Sequence, residues 1–163
     1  MHSKENSIQN MAGGLLISAR LTAESVYKTF LRECPKLGSV DQKNWDTIFT
    51  IGSLYSAMCR LVTEGIDEKE ITRILDETSA EASRVFPGFA LILEECNEFV
   101  DGLAKQLYAD KKYDKDFAFS DALGTWLFTS LLKYPPHSDD DIKLVRQVGL
   151  HMRIPFALTW EKK

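Results

Sequence analysis

The chain has 163 residues, 44% hydrophobic and 27% charged, which describes one ordinary globular domain and not a disordered segment. At that length a single core buries roughly 70% of the surface of the unfolded chain. A net charge of −4, a pI near 5.4 and scattered Lys and Arg residues exclude a clustered basic face, so no nucleic-acid partner is expected.

Residues 1–7 read as a flexible polar N-terminal tail, residues 8–154 as the helical domain and residues 155–163 as an apolar C-terminal strap. The first helix carries Ile8, Met11, Ala12, Leu15, Leu16, Ala19, Ala23, Val26, Tyr27 and Phe30, an i, i+3, i+4, i+7 stripe. Gly13-Gly14 weakens its start, and Cys34-Pro35 ends it. Met11 to Ala19 also resembles a short signal core. Lys4 is the only fixed positive charge ahead of it, and the helical period runs through the cleavage-like Ile17-Ser18-Ala19. No stretch reaches the ~18 consecutive apolar residues of a membrane span. A cytoplasmic protein with no membrane partner is expected.

A second helix is predicted from about Gln42 to Glu64, with Ser39 or Asp41 before it and Gly65 as the residue that ends it. Its polar face is narrow: Lys43, Asp46, Thr50, Ser53, Ala57, Arg60 and Glu64. So wide an apolar arc implies several neighbours, and Gly52, Ser53, Ser56 and Ala57 would let one of them approach closely. Asp67-Glu68-Lys69-Glu70 has the form of a capping box and opens a third, outer helix over Glu68 to Val85. Pro87 reads as a first-turn proline of a fourth helix reaching about Tyr108. Asp110 to Asp116 is a charged loop. The fifth helix starts after Ser120 and is uncharged from Ala122 to Leu132, so it is either buried or a partner surface. Ser138-Asp139-Asp140-Asp141 caps a sixth helix ending near Met152. Phe156, Leu158 and Trp160 then alternate, which suggests an extended segment. The fold class is therefore all-α, a single-domain bundle of five or six helices with an extended C-terminal tail. Trp45, Phe49, Tyr55, Phe99, Trp126 and Phe128 should be buried, around central second and fifth helices.

Chemistry is sparse. Cys34, Cys59 and Cys96 are odd in number and widely spaced, which suits a reducing compartment and neither a disulfide framework nor a zinc site. Cys59 and Cys96 read as core filler and Cys34 as the exposed thiol. His137 lies in a Pro-Pro turn, and His151 lies where a helix dipole favours a cation. No Gly-x-Ser-x-Gly, phosphate loop or Glu-x-x-His pattern is present.

One acidic group stands out. Glu94, Glu98 and Asp101 recur at i, i+4 and i+7, a spacing that puts three carboxylates on one helix face, where they could share Mg²⁺. Glu94 to Glu98 resembles the Glu-Glu-x-x-Glu helix of all-α nucleotide pyrophosphatases. The Glu-x-x-Asp helix that follows it in that family has no counterpart here, since no Glu occurs between Asp101 and Glu161. Glu77 and Glu81 could supply the second pair, leaving Thr78 where a carboxylate is expected. Read as the wet face of an amphipathic helix, the same acids need no metal.

The leading expectation is a protein without catalytic residues or cofactor that binds a protein partner, as a bacterial adaptor, regulator or toxin-neutralising protein would. The alternatives are an Mg²⁺-dependent pyrophosphohydrolase-like enzyme and a helical sensor for an apolar small molecule. The expected association surface is Phe156, Leu158 and Trp160, docked either on the chain's own core or against a second copy in a homodimer.

Overall fold

A computed structural model describes the backbone of residues 2–110 and 114–161. Within that span the side chains of residues 2–6, 8, 63, 115, 116 and 153–161 lie outside the description. The described residues form six α-helices and no strand: α1 (His2–Glu33), α2 (Gln42–Thr63), α3 (Glu68–Val85), α4 (Phe89–Ala109), α5 (Lys115–Leu132) and α6 (Asp139–Glu161). A 3-10 turn, Pro35–Ser39, joins α1 to α2.

The helix α2 is the axis of the bundle. It touches every other α-helix, whereas α1 touches only α2, α3 and α6 among them. Residues 48–57 are buried without interruption. The polar face expected of α2 is therefore confined to its ends, and Thr50, Ser53 and Ala57 are interior. They are small enough for neighbours to close over them. Gly52 receives Leu127 of α5, and a Cβ there would come 2.9 Å from Leu127 Cδ2.

The tightest crossing joins α5 to α6. A Cβ on Gly124 would overlap the Val145 carbonyl, and a Cβ on Gly149 would overlap the Ser120 carbonyl. Each helix lays its glycine on the other's backbone, which brings Trp126, Leu127 and Phe128 into one interior with Val145, Val148 and Met152.

Local signals explain most boundaries. Asp67 Oδ1 accepts from the Lys69 and Glu70 amides at 2.9 and 3.4 Å, which starts α3. Gly65 ends the α2 turn at φ 74, in left-handed backbone that favours glycine. Other boundaries moved. The α1 backbone is helical from His2, where a flexible tail was expected over residues 1–7; Met1 lies outside the described residues. Pro87 is not in the first turn of α4: left-handed Gly88 precedes Phe89. Asp114 accepts from the Phe117 amide at 2.9 Å and starts α5 well before Ser120.

The tail also differs from expectation. The α6 backbone stays helical through Glu161, where an extended strap was expected over residues 155–163. Met152, Phe156 and Trp160 are four residues apart and fall on one helix face, whereas Leu158 fits only the alternating period of a strand.

Five of the six expected core aromatics are buried: Trp45, Phe49, Tyr55, Trp126 and Phe128. Phe99 is not; it is 40% exposed. Leu93, Cys96 and Val100 centre the inner face of α4, and Phe99 lies at its edge, which no further helix covers among the described residues.

Two predictions follow from this packing. Gly124→Ala and Gly149→Ala should each lose about 1–3 kcal/mol in urea denaturation, because backbone must move to admit the methyl group. Gly102→Ala, whose Cβ would meet nothing within 4 Å, should gain about 0.5–1 kcal/mol from helix propensity. Equal effects at the three glycines would contradict the crossing. The Thr50 hydroxyl is fully buried without a hydrogen-bond partner. Thr50→Val keeps the shape and removes that desolvated group, so its melting temperature should rise, by about 1 kcal/mol of stability.

Candidate functional site: the outward face of helix α1

The acids singled out by spacing do not converge. Glu77 and Glu81 on α3, and Glu94, Glu98 and Asp101 on α4, are all exposed. Asp101 is held at 2.8 Å by Lys105 one turn on. Among the described residues, no group of three or more His, Cys, Asp or Glu side chains is arranged to hold a metal ion. The side chains of Phe156, Leu158 and Trp160 lie outside the described residues, and so does their docking.

Two buried acids have structural roles. Asp141 is 3% exposed at the start of α6. Its Oδ2 accepts from the amides of His137 and Ser138 at 3.3 and 3.4 Å, and the Ser138 hydroxyl accepts from the Asp141 amide at 3.1 Å. This is the reciprocal cap that Ser138 to Asp141 announced. Lys36 Nζ, at 3.5 Å, ties the α1–α2 connection to it. Burial pushes the Asp141 carboxyl up, but the His137 and Ser138 donors and Lys36 outweigh it and hold the carboxyl below its ordinary value. Asp121, on α5, goes the other way: burial raises it, and Arg146 at 3.5 Å only partly offsets that.

The thiols are not poised for chemistry. Burial pushes Cys59 and Cys96 up, and Tyr55, itself raised by burial, hydrogen-bonds Cys59. A buried neutral thiol is inert. Cys34, expected to be exposed, is half-buried.

What remains is a surface. The inner stripe of α1 is buried as its spacing requires. Directly opposite stand Ile17 and Leu21, 63% and 62% exposed. From Met11 to Ala23 the only charged residue is Arg20. Arg20 stays exposed and leans toward α2, 5.4 Å over the Phe86 ring and 4.0 Å from Asp46.

Beside Ile17 and Leu21 a cleft of about 460 Å³ opens between α1 and the start of α2, over Trp45. Its floor is rigid. Trp45 stacks on Tyr27 with ring centres 3.9 Å apart, and the Tyr27 hydroxyl donates to the Leu37 carbonyl at 3.0 Å. Its rim is neutralised: Glu24 accepts from Lys28 at 2.7 Å and Arg20 faces Asp46. On the far side of Ile17 and Leu21 a second groove runs along α1 over Gly14, Ser18, Thr22 and Ser25. Ile17 and Leu21 fall off the inner stripe, so helical periodicity does not single them out. The available signal was the near absence of charge on the opposite face.

No family model, curated protein or solved structure matches the chain. Among the described residues, no helix is long and apolar enough to cross a membrane.

The Asp141 cap has a definite pH signature. A carboxyl held below its ordinary value stabilises the fold fully above the unfolded-state pKa, about 3.9. That stabilisation is lost as pH falls through the lower folded-state value. Asp141→Asn should cost about 1 kcal/mol at neutral pH, and the gap to wild type should close as acid denaturation is followed below pH ~4. A gap unchanged down to the acid transition would show that the charge at Asp141 contributes nothing.

Proposed function

We propose that the protein acts by binding another polypeptide on the outward face of α1 and that it does so as an adaptor or regulator, not as an enzyme. One observation carries this reading: two large apolar side chains stand in water on a helix face that is nearly uncharged for three turns. Wet helix faces normally carry charge, and exposed contiguous apolar surface marks an interaction site. The cleft over Trp45 adds a preformed socket whose charges balance one another, so the face carries no net charge to repel a partner. Three unbridged cysteines fit a reducing compartment, and the cytoplasm is the proposed place of action.

A photo-reactive benzophenone residue at position 21, with one at the equally exposed Leu91 of α4 as control, tests the reading in cells. Position 21 should give a discrete polypeptide adduct, and position 91 none. No adduct at 21, or the same adducts at both positions, would remove α1 as the docking face.

A further inference from the structure

Resting on that docking reading, we propose that the polypeptide covering α1 is a second copy of this chain, with the two α1 helices antiparallel about a two-fold axis between Leu21 and Thr22. A two-fold contact needs a face that is complementary to itself when reversed. The outward face of α1 has this property. About that axis Gly14 meets the second copy's Thr29, Ser18 meets its Ser25, and Leu21 meets its Thr22. Small and hydroxyl residues therefore meet their like, which lets the backbones approach. Gly14 is open, with nothing within 4 Å of where its Cβ would be. The apolar contact is centred on the axis, where the Leu21 side chains of the two copies adjoin, and the second copy's Ile17 comes level with the Glu24–Lys28 end of the cleft that Trp45 floors.

Charge selects the same arrangement. A net charge of −4 makes two copies repel wherever acids face outward. On the α2 side of this face, Arg20 and Lys28 balance Glu24 and Asp46. In an antiparallel pair the same flank of each helix adjoins. Arg20 of one copy then lies beside the second copy's Glu24, and the pairing repeats across the axis. Residues 14–29 span only about 22 Å at the α-helical rise. One helix pair of that length gives a small interface, so the dimer is concentration-dependent and not obligate.

Sedimentation of the full chain over a wide concentration range should show the 18.5 kDa species moving toward twice that mass. Leu21→Arg, which puts two like charges at the axis, should hold it at monomer mass with unchanged circular dichroism. Leu91→Arg, at an exposed site elsewhere, should dimerise as wild type does. Register is read by oxidation in a Cys34→Ser background. Thr22→Cys should cross-link to itself, whereas Gly14→Cys should cross-link only when mixed with Thr29→Cys. A chain that stays monomeric at every concentration overturns the dimer. So does a dimer indifferent to Leu21→Arg, or one in which Gly14→Cys links to itself. If the chain is monomeric and position 21 still captures a polypeptide of another mass, the docking face survives with a different occupant. If position 21 captures nothing, both readings fall together.

Discussion

The fold depends on one rod being enclosed on all sides. Residues 48–57 of α2 have no wet face, so every other helix must find room against them. Some of these helices approach one another closely. Small residues make that possible. Gly52 takes Leu127 at the α2–α5 contact, and Gly124 and Gly149 let α5 and α6 touch backbone to backbone beside it. The buried Thr50 hydroxyl is the residue of that enclosure that gains least from it.

Enclosure of α2 also decides which surfaces stay open. A helix packed against the axis buries one stripe, and its outer face is covered only if a further neighbour lies beyond. Among the described residues no such neighbour lies on the outer side of α1, and Ile17 and Leu21 remain in water. The edge of α4 is similar, which is why Phe99 is half in water although its spacing matches the inner stripe. Burial is settled by the number of neighbours as well as by the period of the helix.

Sequence pattern made the helices legible wherever a local interaction starts or stops them. The ends of α3 follow from the Asp67 cap, and Gly65 closes the turn after α2. Where two local signals compete, the pattern misleads. Pro87 and Gly88 are both helix punctuation, and the left-handed glycine, not the proline, sets the start of α4. Asp114 sits in a charged stretch that reads as loop, yet its carboxylate caps α5. The glycines at the α5–α6 crossing were legible only as weak helix formers, because their partners, the Val145 and Ser120 carbonyls, are distant in sequence. The carboxylates of α3 and α4 illustrate the reverse. Their spacing is that of a metal helix, but spacing on one helix cannot show whether acids face each other or water, and these face water.

The remaining apolar surface differs between α1 and the rest of the molecule in a way that bears on function. Val62, Val85, Leu91, Tyr108, Phe117 and Ile142 are exposed too. They are spread over α2 to α6, and scattered surface hydrophobes are normal in any soluble fold. Leu91 has Glu94 and Glu95 in the next turn, and Ile142 follows three aspartates, so charge lies beside each. Ile17 and Leu21 stand one turn apart, with Gly14, Ser18 and Ser25 around them and a neutralised cleft alongside. Charge near an apolar side chain must be desolvated or paired when a partner arrives, and that cost weakens docking. On α1 the neighbouring charges are paired within the molecule, Arg20 with Asp46 and Lys28 with Glu24. A partner meeting this face brings no unpaired charge into the contact, and this distinguishes the outward face of α1 from Leu91 and Ile142.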